Sequence, residues 1–158
     1  MVNGTGTGAE GKHRRTGVNK AEGPVVLFDG WCPLCVGAVR FVLRTDRRAR
    51  FSFASLDSPA ATELLGRCEA DSAVLESART GSTVALVRRG RLFVRSDAAL
   101  RIVGDLPLPW RAMTLLRVVP RFLRDRVYSA VASRRHELWG KLDSCHVPEP
   151  ADRGRFLS

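Results

Sequence analysis

The chain is poor in acidic residues, in cysteine and in long apolar runs, and each shortage narrows what it can be. The longest uncharged run, Gly30 to Val39, is ten residues, about half of the roughly 20 that a bilayer-spanning helix requires. No transmembrane segment is therefore expected. Residues 1–24 hold no apolar stretch of the kind a secretory signal needs, which makes the cytoplasm the expected compartment. Four cysteines in 158 residues are too few for a small disulfide-held scaffold. Acidic side chains number 16 against 26 Lys and Arg, for a net charge of +10. The excess is mostly arginine spread over several segments, and only 57–81 is acidic. Scattered charge of this kind describes a solvated surface, and no specific nucleic-acid partner is expected.

A hydrophobic content of 44% and a charged content of 27% fit one globular domain with a sizeable core. The informative stretch is Val25-Val26-Leu27-Phe28-Asp29-Gly30-Trp31-Cys32-Pro33-Leu34-Cys35. Val25 to Phe28 is a short apolar run of β-formers, as in a strand buried on both faces. Asp29-Gly30 ends it. From Cys35 onward Val39, Val42 and Leu43 recur at helical spacing, so the Cys-x-x-Cys sits where a strand gives way to a helix. Unpaired N–H groups and the helix dipole favour negative charge there, so Cys32 is expected to form a thiolate more readily than a free cysteine. A thiolate beside a second thiol is the apparatus of disulfide exchange.

Residues 1–23 are rich in Gly, Thr and basic side chains and are expected to be a disordered tail. Phe51–Leu56 is expected as a second strand, parallel to the first through a right-handed crossover. Ser58 and Pro59 mark a short helix start. Residues 69–81 look irregular. Ser82–Arg88 and Arg91–Arg95 are expected as a hairpin around Arg89-Gly90, and Ser96-Asp97 as the cap of a further helix. After the extended Leu106-Pro107-Leu108-Pro109, one helix is expected over Trp110–Val119 and a second over Arg121–Leu138. The expected organisation is a domain over 24–106, a helical extension packed on it over 107–148, and a flexible terminus over 149–158. In the extension, arginines alternate with Leu115, Leu116, Leu123 and Val131. The simple expectation is that the apolar face lies on the domain with the arginines in water; the alternative is a partner or an anionic membrane surface.

The order β-α-β-α-β-β-α with Trp31-Cys32-Pro33-Leu34-Cys35 at the first turn resembles the thioredoxin fold, an α/β class. Asp29-Gly30-Trp31-Cys32-Pro33-Leu34-Cys35 resembles the Asp-Gly-x-Cys-x-x-Cys signature of the DCC family of thiol-disulfide oxidoreductases. Two later stretches are similar to that family as well. One is Ser96-Asp97-Ala98-Ala99-Leu100. The other runs from Val127-Tyr128 through Arg134-Arg135 and Gly140 to Cys145. The resemblance implies a thioredoxin-like domain with a C-terminal helical extension, in which Cys32 attacks a disulfide and Cys35 resolves the intermediate. It implies a thiol or disulfide substrate, protein or small molecule, and an upstream thiol reductant, with no organic cofactor. Thioredoxins proper place a cis-proline before the third strand; here Gly81-Ser82-Thr83 stands in that place, with Thr83 expected to face the cysteines.

Several roles stay open on the residues alone. Cys32 is expected to be the exposed thiol and Cys35 the more buried one. Asp29 is either the acceptor that fixes the Gly30-Trp31 turn or an acid/base for Cys35. Trp31 is expected to cover the cysteine pair, and Pro33 to stiffen the loop. Cys145 is a semi-buried thiol, a third redox cysteine, or, with His146, part of a zinc site on Cys32 and Cys35. The alternative to an oxidoreductase is thus a non-catalytic module of the same fold, binding zinc or a partner through its basic helices. Cys68, past a short helix, reads as incidental.

Overall fold

A computed structural model describes residues 23–79, 84–139 and 152–157, apart from the side chains of 135–139. The described residues form a five-stranded mixed sheet in the order β4-β3-β1-β2-β5. Its strands are β1 (Val25–Phe28), β2 (Ser52–Ser55), β3 (Ala85–Arg88), β4 (Arg91–Val94) and β5 (Phe156–Leu157). Strands β1 and β2 run parallel, with Val26 opposite Phe53, as a strand–helix–strand unit requires. Strand β3 is antiparallel to β1, and β3–β4 is a hairpin. Its turn residues Arg89 and Gly90 both have positive φ, +52° and +74°, the geometry whose twist matches flanking strands. This is an α/β architecture of the thioredoxin-like kind.

The alternation of β1 sets up two cores. Val25 and Leu27 join the first core with α2 (Pro59–Arg67) and α3 (Ser72–Arg79). Val26 and Phe28 join the second with α1 (Pro33–Thr45) and α4 (Arg95–Asp105). All four residues of β1 are buried, because a period-2 strand between two helical layers needs apolar residues on both sides. Cys32 and Cys35 belong to the second core.

Four expectations are corrected. Residues 72–79, expected as irregular, form α3. Val74, Leu75 and Ala78 sit at helical spacing and pack on the first core, a pattern diluted by the small and polar residues between them. The cap of α4 is Val94, not Ser96-Asp97; Ser96 Oγ instead donates to Asp125 Oδ1 of α5 (Arg121–Trp139). Trp110–Val118 is a 3-10 helix rather than an α-helix. The terminus expected to be flexible contributes β5, parallel to β2 with Phe156 opposite Phe53. The Phe156 ring stacks on Phe53 at 5.4 Å and meets Phe28 edge-on at 6.2 Å, which repays the ordering of the segment with apolar contact.

Cys68 also differs from expectation. It ends α2 and packs against the first core, and burial pushes its thiol pKa up from the ordinary value. A higher pKa means less thiolate at neutral pH. Cys68 is therefore expected to react with iodoacetamide at pH 7.5 more slowly than a cysteine in an unfolded peptide of this chain. Peptide mapping after timed alkylation measures the rate, and equal rates would contradict the burial argument.

Candidate functional site

Strands β1 and β2 are parallel neighbours, so their C-terminal ends deliver two loops to the same edge of the sheet. The first loop is Asp29 to Cys32. Asp29 Oδ1 accepts from Trp31 N at 2.9 Å and Asp29 O from Cys32 N at 3.3 Å, so one aspartate closes the turn with both its side chain and its carbonyl. Gly30 within it is buried. Cys32 then takes an extended conformation, φ −94° and ψ 115°, as the N-cap of α1, and Pro33 opens the helix. Proline fits the first helical position because no partner awaits an N–H there. Val36 N donates to Cys32 O at 3.0 Å, so the helix is under way before Cys35.

The second loop follows β2. There Asp57 Oδ2 accepts from the Trp31 indole N–H at 2.9 Å. This latch joins residues 26 apart in sequence, and both ends lie at exposed positions. The residue before Cys32 is thereby tied to the loop after the neighbouring strand.

The burial of the two thiols corrects the sequence expectation. Cys32 is wholly buried, at 0% exposure, and Cys35 is 3% exposed. Both are thiols, not bridged to one another. The expectation of an exposed Cys32 treats its place at a turn as a place at the surface. In the structure the turn folds inward and the cysteine joins the α1/α4 core. Trp31 itself is exposed and held toward Asp57.

Cys35 lines a cleft of about 220 Å3 between α1, α4 and α5, with Leu34, Phe41, Ile102, Val84 and Tyr128 among its walls. Tyr128 reaches across from α5, and its hydroxyl accepts from Val84 N at 3.0 Å. That contact fixes the residue leading into β3, beside the Gly81-Ser82-Thr83 stretch. Thr83, Cys145 and His146 lie outside the described residues. Among those described, no three His, Cys, Asp or Glu side chains come together as a metal site would require.

Sequence reasoning missed Asp57 and the role of Tyr128. Asp57 directly precedes the Ser58 cap, and only the pairing of β1 with β2 brings it to Trp31. Tyr128 was visible in the closing Val127-Tyr128 stretch, without any indication of what it touches.

The family model described as DCC1-like thiol-disulfide oxidoreductase matches residues 26–141. The uncharacterized protein YuxK of Bacillus subtilis (strain 168) is 38% identical over 133 residues, covering 84% of this chain and 93% of that protein. A chloroplastic DCC family protein of Arabidopsis thaliana is 39% identical over 129 residues, covering 78% of this chain and 69% of the plant protein. No solved structure matches significantly. The plant relative's name places it in the chloroplast, so kinship alone does not assign the cytoplasm to this chain.

Proposed function

Because the chain belongs to the DCC1-like thiol-disulfide oxidoreductase family, we propose that Cys32 and Cys35 exchange disulfides with a thiol substrate, Cys32 attacking and Cys35 resolving. The observation that carries this reading is the placement of Cys32 as N-cap of α1 with Cys35 in the first turn of the same helix. Charge developing on Cys32 Sγ lies at the positive end of the helix dipole.

The Cys32 thiolate attacks one sulfur of a substrate disulfide; that bond breaks and the departing thiolate takes up a proton. Cys35 gives up its proton, and its thiolate attacks the Cys32 sulfur of the mixed disulfide. The second substrate thiolate leaves, the substrate has gained two electrons, and Cys32–Cys35 is a disulfide. An external thiol reductant resets the pair. Asp29 supports the reaction as the turn acceptor that sets the direction of Cys32.

Buried thiols need an opening step. The Trp31–Asp57 hydrogen bond ties the 29–32 turn to the loop after β2, and its rupture detaches the turn from that loop. Asp57→Ala is expected to raise the rate at which a small disulfide reagent reacts with Cys32 by about fivefold, the equivalent of losing one hydrogen bond of roughly 1 kcal/mol. Stopped-flow reaction with dithiodipyridine reads the rate. An unchanged or lower rate would remove the latch from the mechanism.

The test of the function itself is a redox titration in glutathione buffers, with thiols counted by alkylation and mass spectrometry. A two-electron transition confined to Cys32 and Cys35 is expected. In Cys35→Ser a mixed disulfide should accumulate on Cys32. Failure of the Cys32–Cys35 disulfide to form at any poise would end the oxidoreductase reading. Accumulation on Cys35 in the Cys32→Ser variant would exchange the two roles, since the cleft opens on Cys35.

A further inference from the structure

We propose that the ridge formed by the 3-10 helix Trp110–Val118 and the first turn of α5 seats the protein on anionic lipid bilayers. Residues three apart eclipse one another in a 3-10 helix, so this segment has three stripes. Met113 and Leu116 turn toward a trough between the segment, α4 and α5, and Trp110, on their stripe, meets Phe41 edge-on at 4.6 Å. Thr114 lies against α4, its Cγ2 only 3.0 Å from where a Cβ on Gly104 would stand, and Arg111 and Arg117 share its stripe. The third stripe is Ala112, Leu115 and Val118, without a polar residue. Leu115 is 73% exposed and Val118 86%, and Phe122, at the start of α5, is 75% exposed. Leu115, expected on the apolar face that lies against the domain, is thus turned to water, as are Val118 and Phe122.

A water-facing helix stripe normally carries the polar residues, and contiguous exposed apolar side chains mark an interaction surface. Charge selects the occupant. Between Pro107 and Arg134 there are six arginines, at 111, 117, 121, 124, 126 and 134, and a single acid, Asp125. Asp125 is already engaged by Arg121 at 3.5 Å and by Ser96. Two copies of this face would set arginine against arginine, whereas anionic headgroups complement it. Protrusion points the same way. Side chains this exposed stand proud of the surface, and a bilayer interface deforms around them where a folded partner must supply matching pockets. No helix among the described residues is long and apolar enough to cross a membrane. Basic residues beside exposed Leu115, Val118 and Phe122 are the composition of a surface that lies in the interface plane. The trough shares Ala99, Tyr128 and Val131 with the Cys35 cleft, so the cleft lies on the inner side of the segment that carries the ridge.

Vesicle flotation of the full chain tests this, with phosphatidylcholine alone and with phosphatidylcholine mixed with phosphatidylglycerol. The protein is expected to float with the mixed vesicles at low salt, to stay behind with the neutral ones, and to be released by salt. Leu115→Ser, Val118→Ser and Phe122→Ser combined should lower the partition coefficient more than about tenfold, while Cys32–Cys35 exchange and circular dichroism stay as in the wild type. Should the triple variant misfold, Phe122→Ser alone carries the comparison. Arg117→Gln and Arg126→Gln should each lower partitioning about fivefold. The proposal is overturned if the wild type does not float with anionic vesicles at low salt, or if the serine variant floats equally well. It is also overturned if sedimentation equilibrium shows a dimer that the serine substitutions dissociate, which would make the ridge a self-association surface.

Discussion

Cys32→Ser is expected to abolish disulfide exchange, leaving turnover in an insulin or glutathione-disulfide reduction assay at the level of buffer. The reason is chemical before it is structural. A serine hydroxyl stays protonated throughout the range in which proteins fold, and oxygen cannot form the mixed disulfide on which the exchange depends. The change is nearly isosteric, so the protein should fold. Cys32 is wholly buried, however, and a serine hydroxyl there must find an acceptor or cost about 1–3 kcal/mol. Cys32→Ala separates the two effects: it removes the nucleophile without burying a hydroxyl. Both variants should be inactive, with Cys32→Ala the more stable of the two in thermal melts. Cys35→Ser differs in kind. It retains the attacking sulfur and so keeps a single stoichiometric burst of released thiol, followed by arrest as the mixed disulfide. Turnover that survives in Cys32→Ser and Cys32→Ala alike would show that the redox work, if any, is done elsewhere in the chain.

What was legible in the sequence divides along a physical line. Strand β1 and its junction with α1 are readable because their signals are local: four consecutive β-formers, a turn-forming Asp-Gly, and helical spacing from Cys35; Pro33, expected to stiffen the loop, opens the helix. Ser58 was readable for the same reason, and its Oγ does accept from Ala61 N at 3.2 Å. The β3–β4 turn at Arg89-Gly90 followed from the need for positive φ between two apolar runs. Features set by distant partners were not readable. The burial of Cys32 depends on the α1/α4 layer closing over the turn, and the Trp31–Asp57 latch depends on strand pairing. Strand β5 is two residues long in a polar terminus, too short to carry an alternation. In 110–118 Ala112, Leu115 and Val118 repeat at three, which forms a separate stripe at three residues per turn but not at the 3.6 of an α-helix.

The second large effect is expected at the opposite end of α1 from the cysteines. Arg155→Ala should lower the unfolding free energy by about 3 kcal/mol, at the lower end of what breaking a buried ion pair costs. Arg155 Nη2 donates to Asp46 Oδ2 at 2.6 Å and Nε donates to Phe51 O at 3.1 Å. Asp46 also accepts from Phe51 N at 3.1 Å, so its carboxylate joins the end of α1, the entry to β2 and the C-terminal segment. Asp46 is almost entirely buried and Arg155 largely so. Removing the guanidinium leaves a buried carboxylate with, among the described residues, the Phe51 N–H as its donor, a more costly state than never having had the pair. The guanidinium also lies over the Phe53 ring, 5.3 Å from its centroid, and its loss loosens the packing that seats Phe156. For a domain of this size, about 3 kcal/mol corresponds to a fall in Tm of roughly 6–12 °C, measurable by calorimetry and by urea titration. Arg155→Lys should recover part of the loss, since an ammonium can pair with Asp46 but cannot also reach Phe51 O in the fixed fork of arginine. Helix α1 has 13 residues and so separates this clasp from Cys32 by roughly 20 Å. Well below its Tm, Arg155→Ala should therefore exchange disulfides at the wild-type rate. A loss of stability under 1 kcal/mol would show that β5 docks without the ion pair. A loss of exchange rate in the folded variant would show that the clasp reaches the cysteines through α1.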